Sequence, residues 1–147
     1  MLNQDYKEML SLFLENQVEF LIVGAYALAV HGYPRATGDI DLFIKPSKEN
    51  SNKVFKCLAL FGAPMNNIQE TDFSEPNIVF QIGIAPRRID LITMLDGLSF
   101  DEAINGSKEV ELESLKLPVI SRINLIKNKE ATGRPKDILD VKNLKQK

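Results

Sequence analysis

Residues 39–44 read Asp-Ile-Asp-Leu-Phe-Ile, and no other run constrains the chain as much. Acid and apolar side chains alternate with period two at Asp39, Ile40, Asp41 and Leu42. A β-strand is therefore expected, with Asp39 and Asp41 on one face and Ile40, Leu42 and Ile44 turned into a core. Its two carboxylates would stand about two residue rises of roughly 3.3 Å apart. Like charges that close repel in a folded protein unless a cation lies between them. Oxygen-only donors suit Mg²⁺ or Mn²⁺ better than zinc. A solvated Asp-x-Asp on an edge strand would make no such demand, so the surrounding sequence has to decide.

Those surroundings supply a third acid. Residues 78–84 and 88–94 are two apolar runs joined through Ala85-Pro86-Arg87, a hairpin pattern, and Asp90 lies between Ile89 and Leu91 in the second. Three carboxylates from neighbouring strands could hold two ions about 3.5–4 Å apart, the arrangement used for in-line phosphoryl displacement.

The remaining elements follow from spacing and punctuation. Tyr6, Met9, Leu10, Phe13 and Leu14 recur at helical spacing over 4–15. Residues 18–23 form an apolar strand broken by Gly24, and 25–30 a short helix ended by His31-Gly32-Tyr33-Pro34. Ser47 caps a helix over 48–61, followed by an irregular connection over 62–76. Ser99 and Glu102 make a capping box, 109–112 reads as an edge strand, and Ser121 caps a helix over 122–131. Gly133 stops that helix and Pro135 opens the last one. The fold class is thus α/β: a mixed sheet flanked by helices, with a C-terminal helical pair, in one domain spanning 1–147.

Charge is unevenly placed. Residues 1–115 carry 9 Lys/Arg against 17 Asp/Glu, and residues 116–147 carry 9 against 3. A basic segment of this kind could fold over an acidic, metal-loaded site, bind phosphates or nucleic acid, or simply be a solvated helix face. Cys57 is the one cysteine, in an apolar stretch, and reads as a buried small hydrophobe. The first residues are polar, and the longest apolar stretch, 20–30, is too short to span a bilayer. A cytoplasmic protein without a membrane partner is the expectation.

A strand ending in Gly24-Ala25, the run Thr37-Gly38-Asp39-Ile40-Asp41-Leu42 and the later Asp90 together resemble the nucleotidyltransferase superfamily, typified by polymerase beta and the bacterial minimal nucleotidyltransferases. Residues 23–42 look closer to a short bacterial branch related to abortive-infection and toxin–antitoxin nucleotidyltransferases. Residues 126–140 resemble that branch's C-terminal Lys…Arg-Pro-x-Asp-x-x-Asp motif. The resemblance implies a nucleotidyltransferase-type sheet and metal-dependent transfer of an NMP from an NTP, with ATP expected, to an acceptor hydroxyl on a protein, RNA end or small molecule. It implies Asp39, Asp41 and Asp90 as catalytic residues and ligands for Mg²⁺ or Mn²⁺. Gly24, Ala25, Arg35, Thr37, Lys129 and Arg134 would bind nucleotide or phosphate.

Each of these residues also has a plainer reading. The family often has Ser or Gly where this chain has Ala25, so a hydroxyl contact to phosphate is absent. Arg35 could be a solvated loop residue, and Arg87 and Arg88 are expected as exposed residues of a hairpin tip. His31, Tyr26 and Tyr33 are expected in packing. Asp137 would suit the start of the last helix by its charge alone, and an ion pair could position Lys129 or Arg134. The rival from another class is a non-catalytic binding protein or antitoxin component; a metal-dependent phosphodiesterase is a third reading. A partner chain or a homodimer could supply the missing wall of the site.

Overall fold

A computed structural model describes residues 2–33 and 38–146. The chain runs α1 (Gln4–Glu15), β1 (Phe20–Val23), α2 (Gly24–Val30), β2 (Ile40–Ile44), α3 (Lys48–Phe61), a 3-10 turn (Asp72–Ser74), β3 (Val79–Ile82), β4 (Ile89–Ile92), α4 (Phe100–Ile104), β5 (Lys108–Leu112), β6 (Leu115–Val119), α5 (Arg122–Thr132) and α6 (Pro135–Lys145). The strands form one mixed sheet in the order β3-β4-β2-β1-β6-β5.

The Asp-x-Asp strand is central. β2 pairs antiparallel with β1 and parallel with β4, so both its edges are hydrogen-bonded. Ile40, Leu42 and Ile44 are at most 1 % exposed, as the alternation demands of a core-facing row. Helix α1 buries Tyr6, Met9, Leu10 and Phe13, and the Phe13 ring meets Phe20 edge-on at 5.4 Å. Capping follows the sequence. Asn3, Ser47, Ser99 and Ser121 each accept a bond from a backbone N–H in the first turn they open, and Ser99 and Glu102 complete a reciprocal box.

Strand β6 adds to the sequence expectation, which has one strand, 109–112, ahead of the helix that Ser121 caps. Pro118 lacks an N–H, which is unfavourable inside a sheet. The structure accommodates it because Glu113 and Ser114, both at positive φ, turn β5 back on itself. The resulting hairpin pairs Lys108 with Val119 through Leu112 with Leu115. Against β1, β6 has a single parallel register pair, Ile22 with Val119, and the Ile120 N–H then donates to the Ile22 carbonyl at 3.1 Å. A brief contact tolerates the missing donor, and it carries the chain to α5.

Among the described residues no helix is long and apolar enough to cross a membrane.

Candidate active site

The sheet register brings the acids together. Asp41 is paired with Asp90 on β4, and on its other side with Val23, the last residue before α2. Asp39 precedes β2 by one residue on the same face. Asp39, Asp41 and Asp90 line one cavity of about 390 Å³, together with Gly24, Ala25, Arg88, Lys129, Arg134 and Lys136. A second lobe of about 490 Å³ shares Gly24, Asp41, Lys129, Arg134 and Asp137 with the first. Val79, Ile92, Met94 and Leu95 give this lobe an apolar side, and Asp96, Asn128 and Thr132 add polar groups. The sequence-derived set thus converges, with two exceptions: Arg35 and Thr37 lie outside the described residues.

Gly24 is required here by Asp41. It sits at φ +70°, and a Cβ on it would lie 2.2 Å from Asp41 Oδ2. Gly24→Ala is therefore expected to push the carboxylate aside and lower stability by about 1–3 kcal/mol. Thermal melts with and without Mg²⁺ and ATP should show a lower midpoint and a lost ligand-induced shift.

Burial, the charge of Asp90, a hydrogen bond with Asp90 and the charge of Asp39 together push the Asp41 carboxyl up to about 6. Such crowding on a partly buried face is what a divalent cation relieves, and the all-oxygen donor set fits Mg²⁺ or Mn²⁺. Among the described residues, however, no three His, Cys, Asp or Glu side chains stand ready gathered around an ion position. Arg88 lies among the acids instead. Its Nε donates to Asp90 Oδ1 at 2.7 Å and its NH2 to Asp90 Oδ2 at 3.1 Å. The same NH2 is 3.2 Å from Asp39 Oδ2, and the Arg88 backbone N–H donates to Asp39 Oδ1 at 3.0 Å.

This corrects the expectation of a solvated hairpin tip for Arg88, while Arg87 is exposed as expected. Residues 88 and 90 lie two apart along the same extended segment, so Arg88 shares the acids' face. That is the same period-two argument that places Asp39 beside Asp41.

Tyr6 ties this region to α1. Its buried hydroxyl donates to the carbonyls of Gly38 and Arg88, joining the backbone ahead of Asp39 to the start of β4. Burial, then the charges of Tyr26, Asp39 and Asp90, push the phenol up to about 12. His31 is a packing residue, as expected, with Nε2 2.8 Å from the Ile120 carbonyl.

The opposite wall comes from the C-terminal helices. Lys129 is 8 % exposed, with Nζ 3.1 Å from Asp137 Oδ1 and 3.0 Å from Asp140 Oδ2. Arg134 Nε donates to Asp137 Oδ2 at 2.7 Å while most of its side chain stays exposed, and the Thr132 hydroxyl donates to the same oxygen at 2.6 Å. Burial alone would push the Asp137 carboxyl up. The bonds from Thr132, Arg134 and Lys129, with the Lys129 charge, overcome it and bring it down to about 2. The basic tail is accordingly not a uniform solvated face: Lys129 is internal and Lys145 pairs with Glu130.

No curated protein matches the chain in sequence. Solved structures match it in fold. A candidate nucleotidyltransferase from Thermotoga maritima, TM1012, superposes with a TM-score of 0.62 at 16% identity, covering 99% of this chain and 94% of that one. The lincosamide antibiotic adenylyltransferase LnuA, lincomycin-bound, gives 0.61 at 18% identity, covering 99% and 97%. ANT(2")-Ia in complex with adenylyl-2"-tobramycin gives 0.60 at 17% identity, covering 95% and 84%. These likenesses are likenesses of fold. Over residues 2–147 the sequence matches the family described as nucleotidyl transferase of unknown function (DUF2204), and the chain belongs to that family.

Proposed function

We propose that the protein is a metal-dependent nucleotidyltransferase that moves an NMP from an NTP, with ATP the expected donor, to a hydroxyl of its acceptor. The observation that supports this most is the in-register pair Asp41–Asp90, with Asp39 beside it, facing Lys129, Arg134 and Lys136 across one cavity. Asp39, Asp41 and Asp90 would hold Mg²⁺ or Mn²⁺, which when bound neutralises the triphosphate and the charge that develops on it. Arg134 and Lys136 offer a fork and a point charge to phosphate oxygens, and Lys129, held by Asp137 and Asp140, fixes the cavity wall. Gly24 and Ala25 lie where the phosphates would pass, and Arg35 and Thr37 complete the phosphate-binding set. The acceptor oxygen bonds to the α-phosphorus, the bond to the bridging oxygen breaks, and pyrophosphate leaves. Asp90 stands beside the nucleophile and takes its proton. Most of the rate comes from positioning and charge neutralisation.

The structural neighbours include enzymes of antibiotic adenylylation, and the two-lobed cavity is of a size for small ligands. We therefore favour a small hydroxylated acceptor over an RNA end or a protein. Thermal shift with Mg²⁺ and each NTP, followed by labelled-nucleotide transfer onto fractionated small-molecule and macromolecular acceptors, tests this. Stabilisation that needs both Mg²⁺ and one NTP, with label in the small-molecule fraction, is the expected result. Asp90→Asn should cut transfer by about 100-fold or more without unfolding the protein. Hydrolysis of the NTP without transfer would indicate a phosphodiesterase.

Ala25 at the usual Ser or Gly position, and Arg88 among the acids, favour a second reading. In that reading the chain is a binding protein or antitoxin component that keeps the fold without turnover. Stabilisation by a partner protein, with no transfer under any NTP, would support it.

A further inference from the structure

We propose that Arg88 is a built-in counter-ion that holds Asp39 and Asp90 in the nucleotide-free protein and competes with the divalent cation for them. This rests on the metal-binding role proposed above for the three acids.

The positive charge of Arg88 and the geometry of its bonds set it against a cation at these acids. Both oxygens of Asp90 accept from the Arg88 fork, at 2.7 and 3.1 Å. Both oxygens of Asp39 face Arg88 donors as well, the backbone N–H at 3.0 Å and NH2 at 3.2 Å. A bidentate guanidinium–carboxylate pair is among the stronger charge-assisted arrangements, more so where it is shielded, and the Asp90 side chain is only 11 % exposed. A divalent ion seated on these acids needs lone pairs that point at it. Arg88 occupies one acceptor direction on each of the four oxygens, three through its guanidinium and Asp39 Oδ1 through its backbone N–H, and sets a positive charge beside them, so a cation approaching Asp39 or Asp90 has to compete with it.

One positive charge against three carboxylates still leaves the cluster net negative, so the site continues to attract cations. Arg88 thus raises the threshold for metal binding without abolishing it. The exchange has somewhere to go. Arg88 is about a third exposed and lines the same cavity as Arg134 and Lys136, so a displaced guanidinium remains within the wall that faces an anionic ligand. A metal ion arriving with a triphosphate brings a new anionic partner for Arg88, and a metal ion arriving alone does not. The device therefore couples cation binding to nucleotide binding, and keeps the empty site from being filled by metal alone.

Mn²⁺ titration of the nucleotide-free protein, followed by electron paramagnetic resonance of the free ion, tests this directly. Arg88→Gln is expected to bind Mn²⁺ about tenfold or more tightly than wild type, the scale of a typical coupling between sites. Its metal-free melting temperature should fall, and saturating Mn²⁺ should narrow the gap to wild type. Arg88→Lys keeps the charge without the fork and should lie between the two, which guards against a variant that merely folds poorly. In the Arg88→Gln background, adding Asp41→Asn should remove the gain in affinity.

If Arg88→Gln binds Mn²⁺ no more tightly than wild type, while Asp41→Asn still weakens binding, the counter-ion role is wrong and the acids remain the metal site. If Asp41→Asn changes Mn²⁺ affinity in neither background, the metal is not at the acids. The proposed function then falls, and the competition with it.

Discussion

Asp41→Asn is expected to reduce nucleotidyl transfer by about 100-fold or more and, in the same protein without metal, to raise stability near pH 7. The first effect follows from removing one of three carboxylates proposed to grip the ions and the triphosphate. The second follows from the crowding that pushes the Asp41 carboxyl from 3.8 up to about 6. A carboxyl whose folded value lies above its unfolded value binds more protons in the folded state across that interval. Its contribution is therefore favourable at low pH and is lost as pH rises from about 4 through about 6. Above that window the ionised group costs on the order of 3 kcal/mol at most. The measurement is urea unfolding at a series of pH values in chelator. Wild type should lose stability between pH 4 and 6, Asp41→Asn should not, and Mg²⁺ should restore much of the loss in wild type only. An equal pH dependence in both proteins would mean that the charge of Asp41 is compensated in the folded state.

The largest effect on stability is expected from Lys129→Ala, about 3–5 kcal/mol, because it strips the ammonium from Asp137 and Asp140 at 2 % and 1 % exposure. That is a large share of the roughly 5–15 kcal/mol that holds a typical domain folded. Lys129→Met, which keeps most of the volume, should be nearly as damaging if the charge is what matters. The carboxyl of Asp137, brought down to about 2, gives a second readout. Its stabilisation is fully present above the unfolded value near 3.8 and is lost as pH falls through about 2. Lys129→Ala should shrink this acid-side loss, since two of the favourable influences on Asp137 come from Lys129. A variant as stable as wild type, with an unchanged acid limb, would show that Thr132 and Arg134 suffice.

Much of this organisation could be read in advance because it is local. Period two in residues 39–44 separates the acids from Ile40, Leu42 and Ile44, and those three are buried. Ser47, Ser99, Ser121 and Pro135 start helices by side-chain oxygens or a preset φ, and each does so within a residue of the expected place. The hairpin holding Asp90 follows from two apolar runs and a turn. Strand β6 was missed although Leu115, Leu117 and Val119 alternate with Lys116 and Pro118; the run is short and holds a proline, and its pairing depends on a reversal at Glu113-Ser114 that the local pattern does not announce.

Arg88 was open to the same alternation argument as the aspartates, but a turn-proximal arginine reads by default as solvated. Only the distances to Asp39 and Asp90 show which anions it meets. Lys129 carries a similar lesson. A basic C-terminal segment suggests an exposed cationic face, whereas α5 and α6 fold Asp137 and Asp140 onto that lysine and bury it.

By itself, the order of residues determined which positions carry charge and which side of each strand or helix they occupy, since alternation, helical spacing and caps act over a few bonds. The tertiary structure alone decided which charges meet: that β4 lies beside β2 in the register that sets Asp90 against Asp41, that Gly24 must lack a side chain to admit a carboxylate, and that Arg88 and Lys129 are each claimed by two acids. Coulombic pairing depends on distance through space, and strand register and helix docking set that distance between residues far apart along the chain.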